Sequence, residues 1–265
     1  MEDFAGKDVG AGLSARRSLL ILFGLGDSLG KVYAGTSGWA YATWKPDFYP
    51  AKLASAKFLG HYSSRLNTVE VNYTFRYFPT EKLLRGWMAA TPPEFKFAVK
   101  ANQRITHIKR LKDVADFTAD FVASLQPLDA EKKLGPVLFQ LPPYLKCDVV
   151  LLKDFLAVLP RSLRSAFEFR HLSWFSDEVY EVMRGANVAL CQAESEKLET
   201  PDVRTADFAY LRLRKEDYSA PARKALTDQV AGYAQRGDVF VYFKHEDTPE
   251  GAVHAEELLK EVAAA

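Results

Sequence analysis

The sequence predicts a single α/β domain, a TIM-like (β/α)8 barrel with an N-terminal extension. Three observations carry that expectation. Eight short apolar runs recur along the chain, separated by longer stretches that mostly read as amphipathic helix, and strand–helix alternation repeated in this way indicates a parallel sheet. The units occupy roughly 230 residues, close to the length of about 250 typical of such barrels. In six of the runs a polar residue falls late, on the face opposite the apolar one. An open, doubly wound sheet is the main alternative.

The extension comes first, residues 1–31. "ARRSLLILFGLG" sets basic residues before a short apolar run, Leu19 to Leu25, which is too short to span a bilayer. It resembles the front of a signal peptide, but no small-residue cleavage site follows before the folded pattern begins at Val32. It reads instead as a disordered tail or as a helix docking on the barrel. Gly24, Gly26 and Gly30 are spaced GxGxxxG, which is not the dinucleotide fingerprint. The barrel domain is expected over 32–265. Its strand-like runs are "KVYAGTS", "TVEVNY", "FKFAVKA", "PVLFQLP", "SAFEFRH", "VALCQAE", "FAYLRLR" and "DVFVYFK". Helix-like segments lie at 51–66, 81–89, 111–125, 149–159, 176–184, 221–235 and 250–262. The segment after Glu194 is the poorest helix candidate. No composition break marks a second domain.

Composition excludes several classes. A hydrophobic fraction of 48% with 13% aromatics supplies a core and excludes a disordered chain. A net charge of +1, from 35 basic and 34 acidic residues, gives no global signature of a nucleic-acid coat or a membrane-surface protein. Two cysteines, Cys147 and Cys191, without CxxC spacing, read as reduced thiols in a cytoplasmic protein. No nucleophile elbow, Walker loop or Ser-His-Asp order occurs. Thr36 and Ser37 end the first run, with no activating base identifiable.

Alternation along a strand assigns faces. In "AFEFRH", Phe167 and Phe169 share one face, and Glu168 and Arg170 the other. If the aromatic face packs on helices, Glu168 and Arg170 point into the barrel near its C-terminal end, where βα loops build sites. The same logic turns Glu70, Asn72, Lys100, Gln140, Tyr210 and Arg212 inward, and places Tyr242 and Lys244 together on one face. The barrel bottom should hold branched apolar residues. Glu70 and Glu168 are therefore candidates for a general acid and base; the opposing reading is that each is paired internally with Lys100, Arg170 or Arg212. Lys100, Arg170, Arg212 and Lys244 outnumber the inward carboxylates, which favours an anionic ligand. His107 and His171 fall on loops after strands and can titrate near neutrality. Trp39, Tyr41 and Trp44 in the first βα loop, Tyr73, Phe75 and Tyr77 in the second, and Trp174 after the fifth run can line the mouth or tie down their own loops.

Several long motifs occur in a fixed order: "GTSGWAYATWKPDFYP", "NTVEVNYTFRYFP", "WMAATPPEFKFAVKANQRITH", "LGPVLFQLPP", "AFEFRHLSW" and "VYFK". In these the chain resembles the YecE-like family, a domain of unknown function (number seventy-two), from about Tyr33 to Leu259. The resemblance implies a TIM-like barrel distantly similar to the xylose-isomerase and endonuclease-IV barrels, and no settled activity. Two departures stand out: Arg214 and Lys215 where the family often carries His-Gly, and Lys244 and His245 where it often carries asparagines. The distant relatives use a divalent metal. Here only Glu70, Glu168, His171 and His245 are available as ligands, with Lys100 and Arg170 among them, and cations in a ligand cluster oppose a metal. The expectation is no cofactor, with a divalent metal as the alternative.

The functional expectation is an enzyme performing hydrolysis or isomerisation on a phosphate- or carboxylate-bearing small molecule such as a sugar phosphate or nucleotide. The catalytic candidates are Glu168, Glu70, His171 and His107. The substrate-binding candidates are Lys100, Arg170, Arg212, Gln140, Asn72, Lys244, Tyr242 and Trp39. The alternatives are a nucleic-acid-binding or repair-related protein, using the aromatic loops with "KANQRITHIKRLK" and "RLRK", or a non-catalytic ligand sensor. No membrane partner is expected.

Overall fold

A computed structural model describes residues 29–195, 198–215, 218–244 and 247–264. The apolar run Leu19 to Leu25, Gly24, Gly26 and His245 lie outside the described residues. Eight strands form where the alternating runs predicted them: β1 (Val32–Thr36), β2 (Thr68–Val71), β3 (Lys96–Lys100), β4 (Leu134–Gln140), β5 (Ser165–Glu168), β6 (Ala189–Ala193), β7 (Ala209–Leu213) and β8 (Val239–Phe243). All backbone pairings between them are parallel, in the order β1-β8-β7-β6-β5-β4-β3-β2. The α-helices are α1 (Phe58–Ser63), α2 (Glu81–Ala89), α3 (Ala115–Ser124), α4 (Gln126–Ala130), α5 (Val149–Val158), α6 (Asp177–Gly185), α7 (Ala220–Ala234) and α8 (Glu250–Ala264).

Local chemistry explains several boundaries. Thr80, Asp148, Ser176 and Ser219 each accept a bond from a first-turn N–H of α2, α5, α6 and α7, satisfying a donor the helix cannot pair itself. The segment expected from Leu111 starts as helix only at Ala115. Arg110, Leu111 and Asp113 adopt φ of 51°, 69° and 50°, left-handed backbone that a right-handed helix cannot incorporate. Between β6 and β7 no described residue is helical. Thr205 covers part of that connection: its Oγ1 accepts from Leu190 N at 2.8 Å and donates to Val188 O at 2.6 Å.

The seam between β1 and β2 closes differently from the other strand pairs. A single bridge joins Ser37 to Glu70. Below it side chains stand in for the ladder. Asn67 accepts from Ala34 N through Oδ1 and donates to Val32 O through Nδ2, both at 2.9 Å. The Tyr62 hydroxyl accepts from Thr36 N at 2.8 Å and donates to Thr68 O at 2.9 Å. Gly35 sits in this seam, where a Cβ would lie 2.0 Å from Thr68 O, so no larger residue fits without parting the strands.

Outward faces pack on the helices as alternation requires. Phe139 stacks on Phe167 at 5.1 Å and both meet Phe155 of α5. The inside of the barrel corrects the expectation of branched residues. It is filled by Tyr33, Phe208, Tyr210, Phe240 and Tyr242 with small partners Ala98, Ala166, Ala189 and Cys191, plus Leu138. Large rings opposite alanines fill the same space as uniform layers of valine and isoleucine. Cys147 and Cys191 are both free thiols. Among the described residues no helix is long and apolar enough to cross a membrane.

Candidate functional site

Glu70 is the penultimate residue of β2, Glu168 closes β5, and Arg212 stands near the end of β7, all facing inward. Together they form a nearly dry ion-pair triad with side-chain exposures of 0%, 2% and 1%. Arg212 Nη2 donates to Glu70 Oε1 at 2.8 Å, and Nη1 donates to Glu168 Oε2. Further donors occupy more of the carboxylate lone pairs. Ser37 Oγ and the Tyr210 hydroxyl donate to Glu70, each at 2.7 Å. Gln140 Nε2 and Arg170 Nε donate to Glu168, each at 2.8 Å.

Burial alone would push both carboxyls up. Arg212, with the bonds from Ser37, Tyr210 and Arg212 itself, outweighs it and holds Glu70 below the usual carboxylate range. Arg212 and Arg170, with Gln140, do the same to Glu168 and hold it far below that range. Both are anions at neutral pH. This is the internally paired arrangement, with Lys100 left out of the pairing.

Above the triad lies an open cavity of about 340 Å³. Its charged lining, among the described residues, is entirely cationic: Arg76, Lys100, Arg170, Arg212, Arg214 and Lys244. Asn72 and Gln140 add amides, and Tyr73, Phe75 and Tyr77 form an aromatic side. Tyr73 and Tyr77 are exposed and pack ring to ring at 5.3 Å. Three buried polar atoms of the lining, Asn72 Oδ1, Arg212 Nε and Arg214 Nε, have no partner among the described residues. Lys100 is half-buried at the end of β3. Burial and the Arg212 charge push its ammonium down to about 8, against the pull of Glu70 and Glu168.

The fold thus brings Glu70, Glu168, Lys100, Arg170, Arg212, Gln140, Asn72 and Lys244 to one place. His107 stands beside them, its ring edge-on to Phe75 at 5.0 Å. Burial and the charges of Lys100 and Arg170 lower its pKa, so it is neutral at pH 7. Three expected residues are elsewhere. His171 bonds Ser173 Oγ at 2.8 Å and caps the turn Leu172–Trp174. Tyr242 is fully buried beneath the mouth, its hydroxyl 2.8 Å from Thr68 Oγ1. Trp39 packs edge-on against Trp87 at 5.5 Å. Its loop is tied down by its own rings: Trp44 and Tyr49 are buried, and the Tyr49 hydroxyl donates to Trp39 O at 2.5 Å. Thr36 and Ser37 are engaged with Tyr62 and Glu70.

Arg214 and Arg76 are mouth residues that the sequence-based list omitted. Arg214 was legible, being two positions after Arg212 and hence on the same face. Glu194 fixes its backbone, accepting from Arg214 N at 2.8 Å. Of the four residues considered as metal ligands, three are described, and these are engaged elsewhere. His171 caps its turn, His245 lies outside the described residues, and the oxygens of Glu70 and Glu168 already accept from arginine, serine, tyrosine and glutamine donors. No cluster of metal-ligating side chains occurs among the described residues.

Comparison with known proteins gives consistent matches. Residues 33–265 match the family described as "Protein of unknown function DUF72". A curated relative, UPF0759 protein YunF of Bacillus subtilis (strain 168), is 34% identical over 160 residues, covering 57% of this chain and 54% of that protein. The match thus spans about half the length of the relative. Among solved structures, a DUF72 family protein of Thermotoga maritima MSB8 superposes with a TM-score of 0.79 at 28% identity, covering 88% of this chain and 99% of the other. One from Enterococcus faecalis V583 gives 0.69 at 19%, covering 87% and 98%. An AP endonuclease, family 2, from Brucella melitensis gives 0.50 at 10%, covering 89% and 98%, which is a likeness of fold alone.

Proposed function

The chain belongs to the DUF72 family, and from that premise and the chemistry of the barrel mouth we propose that it is an enzyme acting on a small molecule that bears a phosphate or carboxylate group. The observation that carries this reading is the uniformly cationic lining around a cavity of ligand size. Positive charge in a cleft with low-dielectric walls concentrates anions, and guanidinium groups match phosphate and carboxylate oxygens in pairs. The unpartnered Arg212 Nε and Arg214 Nε are donors such an anion would satisfy.

Within this reading the residues divide their work. Arg170, Arg212 and Arg214 hold the anionic group. Glu70 and Glu168 hold Arg212 rigid, since carboxyls kept ionised below their ordinary range neither donate a proton at pH 7 nor accept one readily. Proton movement in a hydrolysis or isomerisation then falls to Lys100, whose ammonium is pushed down to about 8, and to the His107 ring beside it, lowered by burial and the neighbouring cations. A second reading, a nucleic-acid ligand, has one observation in its favour: the exposed Tyr73 and Tyr77 beside Arg76, rings on which bases could stack.

A thermal-shift screen separates these readings. Inorganic phosphate, sugar phosphates and nucleotides should raise the melting temperature by linkage, neutral sugars should not, and Arg214→Ala should abolish the shift. A shift produced only by oligonucleotides would replace the small-molecule reading with the nucleic-acid one.

A further inference from the structure

We propose that Lys100 is a nucleophilic amine that condenses with the carbonyl group of the anionic substrate, forming an imine at the barrel mouth. This deepens the anion-binding reading and rests on it.

The geometry supplies the argument. Lys100 Nζ makes no hydrogen bond to any described residue, although two carboxylates lie buried beneath the mouth it lines and act on its charge. Their oxygens are taken by Arg212, Arg170, Ser37, Tyr210 and Gln140. What the amine faces is Phe75, whose ring centroid lies 4.2 Å away. That contact shields one side of the amine, and by itself favours the charged form. Burial and the adjacent guanidinium of Arg212 act the other way and prevail. A lysine desolvated beside another cation is the arrangement that frees an amine lone pair near neutral pH. The arginines cannot serve, since a guanidinium does not deprotonate in this range. They provide fixed positive charge for the anion, so Lys100 is not needed for that purpose.

The step balances. The neutral amine donates its lone pair to the carbonyl carbon, forming the C–N bond, and the C–O bond breaks. The departing oxygen takes one proton from the amine and one from solvent and leaves as water, and a protonated imine remains on Lys100. No oxidant or reductant is required.

The test uses the unsubstituted chain with glyoxylate, a carboxylate-bearing aldehyde, and cyanoborohydride to reduce any imine to a stable adduct, located by peptide mass. Acetaldehyde serves as the uncharged comparison. Lys100 should be labelled at least on the order of tenfold faster than exposed lysines, its much larger neutral fraction outweighing the lower nucleophilicity of a weaker base. Labelling should rise to half its maximum near pH 8, be slower with acetaldehyde, and be suppressed by inorganic phosphate. Labelling of Lys100 no faster than of Lys224, which is 76% exposed, would overturn the inference. The melting temperature with phosphate, read on the same sample, tells the two ideas apart. A shift without preferential labelling removes the imine and keeps the anion site, and neither signal removes both.

Discussion

Arg212 reaches across the inside of the barrel from β7 to pair with Glu168 on β5, and neither side chain keeps more than a trace of contact with water. Its other terminal nitrogen pairs with Glu70 on β2. One guanidinium therefore ties together three separate strands, directly under the cationic mouth.

Arg212→Ala should cost about 3–5 kcal/mol, because two buried carboxylates lose their main counter-charge at once. Urea unfolding measures it. Replacing Arg212 by Met together with Glu70→Gln and Glu168→Gln should recover much of that loss. A triple variant as unstable as the single one would mean the pairing is not the cause.

The same triad sets an acid limit. Both glutamates have folded-state pKa values below their ordinary 4.5, so folding binds fewer protons there and stability rises with pH. Their contribution should be complete above about pH 5 and lost progressively as pH falls through 4.5 and below. Unfolding free energies measured from pH 3 to 7 should be steeper for the parent chain than for Glu168→Gln.

Lys100 shares that sign of pH dependence but, unlike the glutamates, its charge lowers stability at pH 7. Its pKa falls from 10.5 to about 8 on folding, so the folded state binds fewer protons between those values and stability should rise over that range. Lys100→Met should raise the melting temperature at pH 7 while removing glyoxylate labelling at that position. A lower melting temperature would make Lys100 a structural cation.

Asn67→Ala removes two bonds to the β1 backbone and should destabilise the chain by about 1–3 kcal/mol. Hydrogen exchange should quicken first at Ala34, whose N–H loses its acceptor. Uniform quickening over the whole sheet would argue against a local seam.

Chelation should leave both melting temperature and any turnover unchanged, since the Glu70 and Glu168 oxygens are already bonded to cations and neutral donors. Loss of stability with EDTA, restored by manganese or zinc, would show a site completed by residues outside those described.

Much of this was readable in the sequence, and the exceptions have a physical pattern. Alternation gave the strands and correctly turned Glu70, Lys100, Gln140, Glu168 and Arg212 inward, because face depends on a period of two. Height along the barrel axis does not. Tyr242 and Lys244 share a face, yet two residues advance a strand by about 6–7 Å, enough to leave one in the core and carry the other to the mouth. The choice of ion-pair partners was equally hidden. Four cations were available to the two carboxylates, and only the strand positions decided that Arg212 takes both while Lys100 takes neither. The roles of Asn67 and Tyr62 left no local signal, since each substitutes for a backbone partner far along the chain.

That substitution has a topological consequence. With β1 and β2 joined mainly through side chains, the continuous backbone ladder starts at β2, proceeds through β3 to β8 and finishes on β1. The first described strand is thus the last slat of the barrel. A circular permutant that begins at β2 and carries β1 after α8 would lay down its strands in the order in which they pair, leaving the seam as the place where the two ends of the sheet finally meet.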